Sequence, residues 1–583
     1  MISTKKSTDP ELVLLQIGGQ IFFILATWIA LVYSKERLAF DAAHYLLEII
    51  KRGGFFIAHQ RPLGVVSQIL PVVGVWFGVS LKALVLLYSF GDLLFYYLLF
   101  LWLGYGLKNK AGTLLLLLTL GLTVNYTFYC PVTELLQGLA LLTVFYALLE
   151  KPFRFRLPVL FVLLILIICS HPLLFIPAGF VLLWWTVGLK ERGSMPIILW
   201  RTYLMNTVLK MVFLDKYDHQ KTFYPVVFKD YSNLHNLQDF SYLASFTKML
   251  VLSYPVVFLI FMASLIVFLF RRNALRTTLY VLFVVGFLLI IAGTHRFTGI
   301  SNYSERMLFP LITLVSLPFC ELVASGKIKK ISSGIILLLF IFLFFRLNEI
   351  RKTSLFYTLR LEQMQELIFQ AHQQKVQKVI ANDPVLEECP FAMTGWSYSI
   401  ESLIISSLPG PDSSVSIAMN DEHVSRIQAL GVTIKNSDFI QWTEIIYPAQ
   451  DLPKNYFKLN DAPYDSLRTN CINNSPIPLM VSKGLKRLNP QIVTIDLTLS
   501  NPEKENRICA GDHSLVIHMN VRDPKTDQDF KYSFRLISDF TSSLHQKLPF
   551  YLEQTQDSVA LTLSVERVTD HQILGSCQLK IKE

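Results

Sequence analysis

The chain has 583 residues, of which 52% are hydrophobic and only 16% charged, and it carries a formal net charge of +10. Soluble domains hold about 25% charged residues, so this composition excludes an ordinary soluble enzyme over the whole length and points to lipid. The Lys and Arg excess is not a nucleic-acid footprint, because it falls in short clusters between apolar runs, where membrane topology places it.

Up to Leu347 the chain is a series of Leu/Phe/Val/Ile runs, several of them near the roughly 20 residues needed to cross a hydrocarbon core of about 30 Å. The first, Leu12–Tyr33, is too long for a signal-peptide core and is followed by no small-residue cleavage site, so it reads as a retained span. Eleven spans are predicted, at 12–33, 81–106, 112–129, 133–149, 157–170, 173–189, 196–213, 248–270, 277–294, 307–325 and 331–347. Leu63–Val79 is apolar but short, holds Gln68 and Pro71, and is laid in the interface. The run 157–189 is divided at Ser170-His171-Pro172, because proline disfavours helix at the residue before it. Under this count the basic clusters Lys5-Lys6, Lys108/Lys110, Lys151/Arg154/Arg156, Lys190/Arg192, Arg271-Arg272/Arg276 and Lys327/Lys329-Lys330 share one side, the cytoplasm. The segment 34–80, the loops 214–247 and 295–306, and the tail then lie outside, and with no retention signal the outer side reads as a bacterial periplasm.

After Asn348 the texture is that of a water-soluble domain. Residues 348–480 read as α/β: a helix at 358–373, a strand at 376–381, a helix near 395–407 and a strand at 414–419. Residues 481–583 show period-two runs at 492–499, 514–521, 530–537, 559–565 and 573–581, the pattern of a small β-sandwich. Cys389, Cys471, Cys509 and Cys577 allow two disulfides in any of three pairings, with buried thiols the alternative.

Chemistry concentrates after the first span, in Phe40-Asp41-Ala42-Ala43-His44-Tyr45 and in His59-Gln60-Arg61-Pro62-Leu63-Gly64. A helix over 40–51 puts Asp41, Tyr45 and Glu48 on one face, with His44 beside it. A carboxylate held there could take a proton from a substrate hydroxyl. The plainer alternative is an amphipathic interfacial helix with a wet polar face. There is no phosphate-cradling Gly-rich loop, GxSxG, HExxH or paired CxxC in the chain, which argues against a nucleotide-driven pump or a grafted soluble hydrolase. Asp92, deep in the second span, is expected to pack inward or pair. Asn125-Tyr-Thr127 and Asn302-Tyr-Ser304 are glycosylation sequons beside spans.

An acid at the start of the first outer loop, an aromatic, and a later Pro-Leu-Gly element together resemble the GT-C glycosyltransferases, the protein O-mannosyltransferase and aminoarabinose-transferase branch above all. Asp41 matches the first acid, Tyr45 the aromatic and Arg61-Pro62-Leu63-Gly64 the later run, while Ala42 stands where that branch has a second acid. Tyr129-Cys130-Pro131-Val132-Thr133-Glu134 resembles the acidic start of the family's fourth helix. Ser170-His171-Pro172 falls where the family has a polar kink, and Tyr303-Ser-Glu305-Arg306-Met-Leu-Phe-Pro310 resembles an element whose arginine faces the lipid-carrier phosphate.

The resemblance covers residues 10–345 and implies a GT-C-like transmembrane domain over 1–347 with the tail outside the membrane. It implies transfer of a sugar from a polyprenyl- or dolichyl-phosphate carrier to a glycan, lipid or protein acceptor on the non-cytoplasmic side, with inversion. Asp41 would serve as the base, and Glu134 as a second functional acid. Arg306, Arg61, His59, His171, His44 and Tyr45 would bind phosphate or substrate. No cofactor is assigned: the reading is metal-free, with a divalent cation the alternative. Two rivals stand beside it: a non-catalytic scaffold whose tail binds a partner, and a transporter or flippase, which calls for inverted repeats or paired broken helices.

Overall fold

A computed structural model describes residues 9–131, 133–189, 193–213, 235–295, 297, 302–325, 329–381, 395–442 and 445–466, and beyond 480 the strands as backbone. The chain divides into two compact units, one formed by 1–37, 52–79 and 84–353, the other by 38–51, 80–83 and 354–583.

The first unit is helical. Its opening helix, α1 (Pro10–Val32), is capped by Asp9, whose carboxylate accepts from the Glu11 and Leu12 amides, with Pro10 at the first helical position. Leu15, Gly18, Gly19, Phe22, Ala26 and Ile29 form its buried stripe, and the two glycines admit the rings of Phe340 and Phe100, each about where a Cβ would sit. After α2 (Asp41–Arg52), which belongs to the second unit, come α3 (Val65–Trp76) and α4 (Leu81–Leu101), the latter extended by a π turn to Gly106. Then follow α5 (Lys110–Leu122), α6 (Glu134–Leu149), α7 (Arg156–Ser170), α8 (Phe175–Gly188) and α9 (Ser194–Val212). The unit continues with α10 (Phe240–Ser253), α11 (Pro255–Phe270), α12 (Ala274–Thr294), α13 (Asn302–Ala324) and the start of α14 (Lys329–Gln373).

Helices that are apolar on every side lie in the middle of the unit: all of α6 is buried, as is α5 from Ala111 onward. Other helices carry large apolar side chains on the exterior, among them Ile24, Trp28, Leu204, Val208, Leu282 and Phe345. An exterior of this kind belongs in lipid. Five helices of the described residues are long and apolar enough to cross a membrane, and a sixth arises if α10 and α11, bent by 96° at Tyr254, count as one span. The chain is thus a helical membrane protein.

The count of eleven is not reproduced. Four segments read as spans form helices of 13, 16, 15 and 14 residues, α5 to α8, which at about 1.5 Å per residue fall short of a 30 Å core. The last predicted span does not stop at 347. Helix α14 runs 45 residues to Gln373 and absorbs the separate helix expected at 358–373.

In the second unit β1 (Lys378–Ala381) pairs in parallel with β2 (Ser416–Met419) and β5 (Asp465–Ser466), giving the order β2-β1-β5. A buried helix, α15 (Tyr398–Ser406), packs on β2, where Ser402 and Ser406 hydroxyls accept from the Ile417 and Val415 amides at 2.9 and 2.8 Å. The hairpin β3 (Asp438–Trp442)/β4 (Ile445–Pro448) stands beside it, and Ile440 joins Ala418, Val424 and Ile427 in a small core.

Further along, β6 (Met480–Asn489), β7 (Ile492–Ser500) and β12 (Ser543–Tyr551) form one antiparallel sheet in the order β12-β7-β6. A second sheet runs β10 (Asp529–Leu536), β9 (Leu515–Arg522), β13 (Ser558–Arg567), β14 (Gln572–Lys582), and the short strands β8 (Ile508–Cys509) and β11 (Asp539–Phe540) pair antiparallel. The five expected runs are all strands. The sequence misses β6 and β12, whose Lys, Arg and His residues break the period-two pattern. Cys389 and Cys471 lie outside the described residues, and the pairing of the tail cysteines with them.

Candidate functional site

Within the helical unit, five separate elements bring ionisable groups to one place. The first is the turn at His59-Gln60, two consecutive non-glycine residues with φ of 51° and 55°. Left-handed backbone of this kind costs of order 1–3 kcal/mol per residue and persists where the surroundings over-determine it. The turn delivers Arg61, which is buried, with Nη1 at 3.6 Å from the Glu134 carboxylate. Glu134 is the first residue of α6, where the helix dipole favours an acid. Its carboxylate approaches Gly64 so closely that a Cβ there would stand 3.3 Å from Oε1. The Pro-Leu-Gly element therefore ends in glycine for a steric reason.

His171 occupies the turn between α7 and α8. Its Nδ1 accepts from the Leu173 amide at 3.2 Å, so the proton of the neutral ring sits on Nε2. Burial, and then the nearby charges of Arg61, Arg306, Lys210 and His59, hold its pKa well below the ordinary histidine value. Lys210, buried near the end of α9, donates to the Gln60 carbonyl at 3.4 Å. Arg306 lies in the first turn of α13 and donates from Nη2 to the Cys130 sulfur at 2.9 Å.

The structure thus gathers Arg61, His59, Glu134, His171 and Arg306. It adds Lys210, which the predicted span at 196–213 does not single out. A signal was present, since that lysine stands at the helix end assigned to the outer side, where the positive-inside rule does not want it. Arg61 lies beside the Glu134 carboxylate and Lys210 on the turn that carries Arg61, with His171 and Arg306 nearby. Such a cluster in buried surroundings suits a multiply charged anion, and guanidinium groups can bind its oxygens bidentately.

Glu305, next to Arg306, does different work. Fully buried, it accepts from the Asn125, Tyr126 and Thr127 amides and the Thr127 hydroxyl, fixing the turn that precedes α6. Asn125 Oδ1 also accepts from Thr353 at 2.9 Å, and Asn302 is buried, so both sequons are built into the packing. Asp92 is paired as expected. Arg37 donates to it at 3.3 Å, and the same guanidinium bonds the Phe128 carbonyl and stacks 4.4 Å over the Phe128 ring.

Asp41, His44 and Tyr45 fall in the second unit, on α2. Asp41 opens that helix and residues 42–50 are all buried, so the alternative of an interfacial helix with a wet polar face is corrected. His44 Nδ1 lies 3.4 Å from Gln441 Nε2, and the His44 and Tyr45 rings meet edge to face at 6.1 Å. Among the described residues, no group of three or more His, Cys, Asp or Glu side chains is arranged to hold a metal ion. Comparison of the chain with protein-family models, with curated proteins and with solved structures finds no match in any of the three.

Proposed function

We propose that this protein is a GT-C-type glycosyltransferase that moves a sugar from a polyprenyl-phosphate carrier to an acceptor on the non-cytoplasmic side of the membrane, where its C-terminal part also lies. The observation that carries this reading is the turn at His59–Arg61 in the helical unit, where Arg61 stands 3.6 Å from the Glu134 carboxylate and Lys210 donates to the Gln60 carbonyl at 3.4 Å. The acceptor hydroxyl attacks the anomeric carbon, the bond from that carbon to the phosphate oxygen breaks, and the phosphate leaves with the electron pair. Arg306, Arg61 and Lys210 receive the charge that grows on it, and the Nε2–H of His171 donates to it. Glu134 keeps Arg61 oriented at 3.6 Å. Asp41 retains the role the resemblance implies, taking the proton of the acceptor hydroxyl as the sugar inverts.

A transporter draws on a different observation: among the described residues the helical unit has a helix pair broken and bent by 96° at Tyr254. One assay separates the two. Purified protein in lipid is given radiolabelled polyprenyl-phosphate sugars, and wild type is compared with Arg306→Ala and Asp41→Ala. Sugar release by wild type that both substitutions abolish supports the enzyme. Movement of the intact carrier across vesicles without sugar release would replace it with transport.

A further inference from the structure

Immediately before Asp41 stands a residue that its own chemistry does not favour there. Phe40 has φ of 58°, a conformation rare for an aromatic residue and held only where neighbours enforce it. Three contacts enforce it, all from the C-terminal part of the second unit. The Phe40 amide donates to Glu401 Oε1 at 3.0 Å, its ring lies 5.1 Å under the Arg360 guanidinium, and it meets the Tyr357 ring edge to face at 6.4 Å. Glu401 is itself fixed. Arg360 grips it with Nε at 2.8 Å and Nη2 at 3.0 Å, and the Ser397 hydroxyl donates to Oε1 as well. Both partners of that ion pair are buried.

The other end of α2 is held in the same way. Gln441 donates to Glu48 at 2.8 Å and accepts from Lys51 at 2.8 Å, and the Lys51 ammonium sits 3.8 Å over the Tyr447 ring. A helix of 12 residues is too short to be stable alone in water. Its position is therefore set by these tertiary contacts, at both ends.

We propose that Glu401, locked by Arg360, is a positioning residue for Asp41: it holds Phe40 in the left-handed conformation that sets the direction in which α2, and with it the Asp41 carboxylate, begins. Within the second unit, the residues around Glu401 then serve to hold the helix that carries Asp41. This rests on the reading of Asp41 as the acceptor base. If Phe40 relaxes to the ordinary helical or extended region, the chain enters α2 at a different angle and the carboxylate is displaced, while the phosphate cluster of the helical unit is untouched.

The test uses the full chain in lipid nanodiscs and two readouts, amide hydrogen exchange over residues 39–51 and steady-state sugar transfer. Glu401→Ala is expected to speed exchange at residues 40–46 about tenfold or more, as a locally loosened segment does. It should lower kcat about tenfold while donor KM stays within about twofold, because the group lost acts on the acceptor step. Glu401→Gln, whose amide oxygen still accepts from the Phe40 amide, should restore most of both. Should Glu401→Ala not fold, Gln441→Ala carries the same test at the other end of the helix, with exchange rising at 48–51. Unchanged exchange in both alanine variants overturns the proposal, as does a loosened α2 with unchanged kcat. Absence of turnover in wild type would sink the glycosyltransferase reading alone, because the exchange arm decides the clamp by itself.

Discussion

Two arginine–carboxylate pairs, one in each unit, show how the same side chains can be arranged for different ends. In the second unit Arg360 meets Glu401 with two short bonds of 2.8 and 3.0 Å, and the Ser397 hydroxyl and the Phe40 amide also donate to Oε1. In the helical unit Arg61 stands a longer 3.6 Å from Glu134, and Lys210 and Arg306 lie nearby. The first arrangement closes its charges on itself and fixes a backbone. The second is a looser pair with further basic side chains close by. Geometry and charge balance, rather than the residue types, separate a brace from a binding site.

Breaking the closed pair should have the largest effect. Arg360→Ala leaves a buried carboxylate without its cation and should destabilise the second unit by about 3–5 kcal/mol, seen as a lowered unfolding midpoint. Arg306→Ala should instead leave thermal stability nearly unchanged and lower sugar transfer by about 100- to 1000-fold, the usual loss when a donor to a developing anion is removed. If Arg306→Ala destabilised the protein as much as Arg360→Ala, the contrast between brace and site would be lost.

A third test sharpens the description of the second unit. His423 is buried, and its pKa is pushed down to about 4. Burial is the main cause, and Nδ1 already accepts from the Met419 amide at 3.0 Å while Nε2 donates to the Trp396 carbonyl at 2.9 Å. Protonation would set two donors face to face at Nδ1. Because the folded-state pKa lies below the unfolded one, this contribution is complete above pH 6.5 and is lost as pH falls from 6.5 toward 4. It amounts to about 3 kcal/mol, and His423→Gln should flatten that pH dependence in near-UV melting curves. The smallest effect belongs to Gly64→Ala. The added methyl would press on Glu134 Oε1 and shift it by a few tenths of an ångström. A several-fold rise in donor KM is expected, with a stability cost of about 1 kcal/mol.

Much of the helical unit is legible because long apolar runs leave few alternatives: α1, α12 and α13 fall within a few residues of their predicted limits. The errors have visible causes. The last helix was ended where its apolar run stops, at Leu347, although no Pro or Gly follows before Gln373 and nothing in the backbone obliges it to stop. The bend at Tyr254 was available in Pro255, which cannot continue the preceding helix's hydrogen bonds. Site residues were legible where a motif held them together, as with His59 and Arg61, and opaque where only tertiary packing did. Nothing local to Lys210 or Glu401 shows that the first approaches Gln60 or that the second binds Phe40.

The bonds that hold α2 have a further consequence, for how the protein is made. The Phe40 amide and its acceptor are 361 residues apart, and Glu48 and Gln441 are 393 apart. At a synthesis rate of about 5–20 residues per second, the ribosome finishes the first partner roughly 20 to 70 seconds before the second. For that interval the 41–52 segment has no native surface to rest on, while the spans that follow it are being inserted. A stop codon before position 401 is expected to yield a chain in which α2 lacks both of these contacts. The contacts to α2 become possible once residues 401 and 441 are made, before the strands from Met480 onward are synthesised.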